Sequence, residues 1–241
     1  LYAWEPWRSL APQQAVEQPY NELLSDLVLE NYAWKTFIRN SLAAGELPLW
    51  SPYLFTGAPF LAAGQHSALY PFSLIFYIMP LPLAYGVFSA LQLALAGIGM
   101  YLFLRSLGVR PGGGLVGGIT YAFSGFMVVS VAFTMMIAAV AWLPYCLLAI
   151  EMTIRRGEIG STPAQEGKSY SGRLRDGAPW LVAGAAALGI QVLAGHIEIT
   201  YYVLMLMALY ADWRLLWIWW RQRRFPWRGA LLVSGIVVLG I

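Results

Sequence analysis

The 241 residues are 59% hydrophobic and 11% charged, with 15 Lys and Arg against 12 Asp and Glu, and the mean hydropathy is +0.60. Such a composition excludes an ordinary soluble globular domain. The net charge of +3 hints at a nucleic-acid partner only until the basic residues are placed, because they follow the two sides of a membrane.

Residues 1–20 carry Glu, Arg and Pro where a signal peptide would need an apolar core. The chain has no initial Met and stops at Ile241 inside an apolar run, so a piece of a longer protein is expected, with further spans before and after. Residues 21–71 form a polar, turn-rich outer segment beside the membrane scaffold, the kind of long loop on which chemistry sits. Ser25 suits an N-cap and Asp26 a first helical turn, where the helix dipole favours an anion. Leu27, Asn31, Trp34, Ile38 and Leu42 recur at helical spacing, which predicts an amphipathic helix over about 26–44 lying on the membrane. Gly45 followed by Pro48 should end it.

On that helix Asp26 and Glu30 share a face, an arrangement of like charges that asks for a cation, a proton or a substrate. The alternative is a capping Asp and a solvated Glu. Lys35 and Arg39 fall on nearly the opposite side and are expected to touch lipid headgroups. The stretch Leu47–Tyr53, followed by Thr56–Pro59, is too rich in Pro, Gly and aromatic residues for a helix and predicts a rigid extended loop. Trp50, Tyr53, Gln65, His66 and Tyr70 on this loop are candidates for binding substrate, although a lone His such as His66 also fits a hydrogen-bonded structural role.

Residues 72–79, between Pro71 and Pro80, are too short to cross a bilayer and read as an interfacial helix. An apolar run of about 20 residues is enough to cross, and Leu81–Leu104 qualifies. The uncharged stretch Pro111–Ile150 makes two spans with a turn near Phe133–Met135. Pro179–Gly195 and Ile199–Ala211 flank a polar turn at His196–Glu198, and Gly229–Ile241 begins a sixth span. The predicted architecture is an all-α polytopic bundle. Of the fifteen Lys and Arg, twelve fall on three connections on one side: Arg105 and Arg110; Arg155, Arg156, Lys168, Arg173 and Arg175; and Arg214, Arg221, Arg223, Arg224 and Arg228. The positive-inside rule makes that side cytoplasmic, so the 1–71 segment and the His196–Glu198 turn share the outer side. His196 and Glu198 are either part of a site or a solvated turn.

Three features have plainer readings. The Trp- and Arg-rich stretch 213–227 fits a membrane interface better than a nucleic-acid patch. Gly112–Gly118 lacks the Lys and Ser/Thr of a phosphate loop and instead offers Gly113/Gly117 and Gly114/Gly118 faces for close helix packing. Cys146, the one cysteine, lies mid-span as a small packing residue.

Several stretches together resemble the bacterial YfhO-like membrane protein family. They are Asn21–Asp26, Tyr32–Trp34, Gly45–Tyr53, Gly57–Ala62, Gly99–Tyr101 with Arg105, Tyr121–Gly125, Ala141–Pro144 and Gly195–His196. That family is similar to GT-C glycosyltransferases, polytopic enzymes that take a sugar from a polyprenyl-phosphate donor on the outer face of the cytoplasmic membrane. The resemblance implies a preceding span, with Leu1 opening the first outer loop, and a catalytic base at Asp26. It also implies an envelope glycan, lipid or protein as acceptor. Ser51, Ala63–Gly64 and Glu198 depart from the family pattern, where Asn, Asn-Pro and Gln are common.

The chemistry such an enzyme needs is a base for the acceptor hydroxyl and a cation for the leaving phosphate. Asp26 suits the first. A basic side chain, or a divalent metal ion held among Asp26, Glu30, His66, His196 and Glu198, suits the second, and no ligand spacing decides between them. Two other classes compete: an accessory subunit of a larger membrane complex derived from such enzymes, and a transporter of lipid-linked sugars. The transporter needs ionisable groups near mid-membrane, whereas Glu151 lies near an inner end.

Overall fold

The computed structural model describes residues 26–54, 56–157, 170–223 and 226–241, and is almost wholly helical. Ser25, Lys168 and Arg224, to which the sequence gave roles, lie outside the described residues. The chain opens with a π-helical turn, Leu27–Asn31, that runs into α1 (Tyr32–Ala43). Glu46 N–H donates to Ser41 O and Gly45 N–H to Leu42 O, the paired bonds of a Schellman end, with Gly45 at φ +76°. The extended loop follows as expected. It closes on a short antiparallel ladder, β1 (Trp50–Ser51) on β2 (Ala58–Pro59), in the register Trp50↔Pro59 and Ser51↔Ala58. One helical turn, α2 (Phe60–Ala63), and a 3-10 turn at Pro71–Ser73 lead to the short α3 (Leu74–Ile78).

The bundle proper comprises α4 (Leu81–Ser106), α5 (Pro111–Ala122), α6 (Gly125–Val129), α7 (Thr134–Ala141), α8 (Leu143–Gly157), α9 (Tyr170–Leu193), α10 (Ile197–Gln222) and α11 (Trp227–Gly240). Among the described residues four segments are long and apolar enough to cross a membrane: Leu81–Ser106, Pro111–Ala132, Thr134–Arg156 and Ile197–Arg221. The turn between the second and third falls at Phe133, as predicted. Of the six expected spans, the other two correspond to shorter apolar stretches, Gly177–Leu193 and Trp227–Gly240. Seventeen helical residues rise only about 25 Å, somewhat short of a hydrocarbon layer of about 30 Å. Helix α9 also starts at Tyr170, so the back half of the connection predicted over 155–178 is helical.

Close packing comes from small residues, since apolar side chains gain little by leaving lipid for protein. A Cβ on Gly118 would lie 2.7 Å from Gly97 O, so α4 and α5 meet backbone to backbone on the Gly114/Gly118 face. A Cβ on Gly99 would lie 2.5 Å from the Tyr145 ring, whose hydroxyl donates to Leu95 O at 2.9 Å. Pro144 cannot donate to Val140 O, four residues earlier, and the Tyr121 hydroxyl supplies a hydrogen bond to that carbonyl at 2.9 Å. Helix α8 sits centrally, with Cys146 and Ile150 fully buried against its neighbours.

Arg214 corrects a sequence reading. It is counted above with a cytoplasmic connection, yet the structure buries it and pairs it with Glu151, itself fully buried. Nε donates to Oε2 at 2.6 Å and Nη2 to Oε1 at 2.8 Å, a bidentate pair. Arg155 Nε (2.6 Å) and the Tyr210 hydroxyl (2.8 Å) complete the carboxylate's shell. The physical reason is that α10 continues as helix to Gln222, which carries Arg214 along α8 and not into solvent. Replacing Glu151 by Ala strands a buried guanidinium and should cost about 3–5 kcal/mol. Replacing Glu151 and Arg214 together by Leu should recover most of that loss. Thermal unfolding of the detergent-solubilised protein distinguishes the two, and equal destabilisation of both variants would show that the pair is not a coupled unit.

Candidate functional site

The segment from residue 26 to the start of α4 does not lie loosely beside the bundle; it is bolted to the ends of the spans. Asn31 accepts from the Tyr85 hydroxyl at 2.9 Å and donates to Thr134 Oγ1 at 3.3 Å, which joins the start of α1 to the heads of α4 and α7. One turn further, Lys35 is buried, its Nζ donating to His66 O at 2.6 Å and lying 4.6 Å from the centre of the Phe76 ring. Arg39 Nη1 donates to Met79 O at 3.2 Å.

Lys35 therefore does not reach lipid headgroups. The buried residues Asn31, Lys35 and Ile38 define a face rotated from the one predicted, and Leu42, expected to be covered, is exposed. Lys35 stands about 60° round the helix from Ile38 and so borders the covered face, and its contacts with His66 O and the Phe76 ring hold it inside. Burial pulls the Lys35 amine down from its ordinary 10.5 to about 7, since a desolvated ammonium is costly.

The loop that Lys35 holds is built around His66. Its Nε2 donates to Phe60 O at 2.8 Å, its Nδ1 accepts from Ala68 N–H at 3.0 Å, and its ring stacks on Phe60 at 4.2 Å. With both nitrogens used by the loop's own backbone, His66 is structural and has no free nitrogen for a ligand. Burial lowers its pKa. Next door, Ser67 Oγ donates to Ala194 O at 2.6 Å. Gly195, at φ +86°, approaches so closely that a Cβ there would collide with Gly64 O. The first-loop segment and the turn before α10 thus lie on one side of the bundle and touch, which the sequence implied only through charge bias.

The remaining candidates divide by exposure. Asp26 stands exposed at the N-cap of the π-helical turn and makes no side-chain capping bond. Glu30, Gln65 and Glu198 are also exposed, and Glu198 occupies the first turn of α10 and not a loop. Trp50 and Tyr53 are exposed on the hairpin, Trp50 against Gly57 and Tyr53 edge-on to Phe37. Tyr70 is buried and faces away from solvent. Its hydroxyl donates to Gln92 Oε1 (2.8 Å) and accepts from Trp142 Nε1 (3.0 Å), so it ties the loop to α4 and to the junction of α7 and α8 and, being buried, is out of reach of substrate. His196 is buried as the N-cap of α10, Nδ1 accepting from Ile199 N–H at 3.3 Å.

Among the described residues no group of three or more His, Cys, Asp or Glu is placed to hold a metal ion. A polar cleft of about 420 Å³ does open on this side, between α1 and the start of α4, with Tyr32, Thr36, Arg39 and Asn40 facing Pro80–Pro82. Sequence reasoning missed Asn31, Lys35 and Ser67. The first two sit four apart on the face that also carries Ile38, and that spacing was the available signal.

The architecture defines the class: an all-α membrane helix bundle with an ordered loop seated on one side. Comparisons with protein-family models, curated proteins and solved structures give no match.

Two outcomes test the seat. Gly195→Ala should unseat the 64–67 loop, raising protease cleavage there at least several-fold; unchanged cleavage would mean that the contact with Gly64 is dispensable. Between pH 7 and 10.5 an unseated Lys35 holds a proton that the seated one lacks, so seating should strengthen as pH rises through that window and be weakest below pH 7. Amide exchange over 31–43 reads this directly. Lys35→Met should flatten the pH dependence.

Proposed function

We propose that this chain is a membrane glycosyltransferase of the GT-C kind, related to the YfhO-like proteins, which moves a sugar from a polyprenyl-phosphate donor to an acceptor hydroxyl. Its active side would be the outer face of a bacterial cytoplasmic membrane. The observation that carries the reading is the cleft beside α1. It lies where the seated loop meets the first residues of α4, and it combines the Arg39 guanidinium with the Thr36 and Asn40 side chains against an apolar wall. A lipid-linked phosphate needs such a place, with a cation for the phosphate and an apolar edge for the chain.

In this mechanism the Asp26 carboxylate takes the proton of the acceptor hydroxyl as its oxygen attacks the anomeric carbon. The bond from that carbon to the phosphate oxygen breaks, the phosphate leaves with the electron pair, and a cation, either a basic side chain or a divalent metal ion, would stabilise the charge that develops on it. Arg39, thirteen residues along the helix from Asp26, would dock the donor at the cleft and not act at the reacting carbon. Glu30, Gln65 and Glu198 are placed on the same side to meet the sugar or the acceptor through hydrogen bonds.

A second reading, an accessory subunit of a larger membrane complex, is favoured by one observation: Asp26 is exposed and makes no side-chain capping bond, whereas a working base is normally held by its surroundings. Sugar transfer by the protein in membranes with a polyprenyl-phosphate sugar decides between the two. Asp26→Asn should lower turnover by about a hundredfold or more while donor binding persists. Arg39→Gln should weaken both donor binding and turnover. Full turnover in Asp26→Asn would remove Asp26 as the base, and absence of transfer by the unaltered protein would leave the accessory reading in place.

A further inference from the structure

Further along α4 from the seated loop a second opening has a different character. A groove of about 660 Å³ runs along the seam of α4 and α5, lined by Ala94, Gly97, Ile98, Tyr101, Leu115 and Ile119 among others. It exists because Gly97 and Gly118 bring the two backbones together and leave no side chains to fill the hollow beside them. Its walls are apolar, and Ile98, Leu115 and Ile119 are each more than half exposed.

One end of this groove is basic. Arg105 lies one helical turn beyond Tyr101, and both side chains pack against α5 at Gly114: a Cβ there would meet the Tyr101 ring at 3.1 Å and Arg105 Cδ at 3.3 Å. The turn that follows is fixed by Val109 N–H donating to Leu104 O and Gly108 N–H to Arg105 O. Arg105 Nη1 donates to Val109 O at 2.6 Å, which uses one of the guanidinium's five donors and holds the group at the mouth. Arg110, exposed, is the N-cap of α5. The first turn of that helix, Pro111–Gly114, adds the positive end of a helix dipole and backbone with no side chains to obstruct an anion. No Asp or Glu occurs between Glu46 and Glu151, so no carboxylate from this stretch neutralises the pair.

The dimensions suit one lipid chain. The twelve residues of α5 rise about 18 Å, close to the roughly 15 Å of half a hydrocarbon layer. Charge and length together select the occupant: an amphiphile with a phosphate at the basic end and an acyl chain along the seam.

We propose that the α4–α5 groove is a binding site for an anionic phospholipid of the leaflet on the basic side, its phosphate held by Arg105, Arg110 and the start of α5. The site is independent of the glycosyltransferase reading. It lies further along α4 from the seated loop, and its occupant is a structural lipid and not the sugar donor.

The test uses the full chain reconstituted in bilayers of equal phosphatidylglycerol and phosphatidylcholine, with retained lipid counted by native mass spectrometry after mild detergent extraction. Phosphatidylglycerol should be retained over phosphatidylcholine by about thirtyfold, the preference expected from about 1 kcal/mol for each of the two arginines near the surface. Arg105→Gln with Arg110→Gln should bring the ratio towards one, Arg105→Lys with Arg110→Lys should keep most of it, and Arg156→Gln, on a different connection, should leave it unchanged. Ala94, exposed on the groove wall, can be replaced by Phe without entering the core, and Ala94→Phe should reduce retention of both lipids. Unchanged retention in Ala94→Phe, or an unchanged ratio in the double Gln variant, would overturn the proposal. So would efficient disulfide dimerisation of Ala94→Cys in the membrane, which would assign the groove to a second copy of the chain.

Discussion

Hydrocarbon offers no hydrogen bonds, so a chain that crosses it must satisfy every backbone amide and carbonyl from within. That constraint explains the placement of this protein's polar side chains better than any single contact does. Tyr121 answers Val140 O, which Pro144 cannot reach, and Tyr145 adds a bond to Leu95 O in the middle of α4. Pro144 breaks an otherwise continuous pair of helices, and the structure tolerates the break because a tyrosine from the adjacent helix fills it. The same logic governs charge. Glu151 survives at full burial only because two arginines and a tyrosine spend their donors on it.

At the loop side the constraint relaxes, because water is near, and irregular backbone becomes possible. The loop is nevertheless organised as a core would be. His66 holds its own backbone through both ring nitrogens, Phe60 stacks on the His66 ring and meets Phe37 edge-on, and Lys35 stitches that unit to α1. A buried lysine is a weak device for stability, since its desolvation offsets much of what its hydrogen bond and the Phe76 ring contribute. Its effect is to make the fit of loop to bundle specific and sensitive to protonation. The exposed Asp26, Glu30 and Glu198 are thereby displayed on a firm support, and the cleft at Arg39 owes its shape to the same seat.

Much of this fold is legible in the sequence for plain reasons. Long uncharged runs, the Gly45 and Pro48 stop, the turn at Phe133 and the Gly114/Gly118 face depend on local chemistry, which the sequence displays directly. The misreadings share one cause, partners remote in the chain. Lys35 borders the covered face of α1, and its burial was decided by His66 O, 31 residues away, and by the Phe76 ring. The fates of Arg214 and Tyr70 depended on partners 63 and 22 residues away, which spacing along one helix cannot reveal. Exposure was legible for Asp26, Glu30 and Glu198, where charge argues for water. Both ring nitrogens of His66 and Nδ1 of His196 were taken by backbone groups, a choice set by loop geometry.

The contacts that seat the loop also impose an order of assembly. Asn31 waits for Thr134, 103 residues later, and Ser67 for Ala194, 127 residues later. At a synthesis rate of about 5–20 residues per second, the second partner is made roughly 6–25 s after the first. During that interval the 64–67 loop already has its partner on α1, because Lys35 meets His66 O only 31 residues on. Loop and α1 can therefore pair first, around the buried amine, and dock as one unit when the turn before α10 is in place.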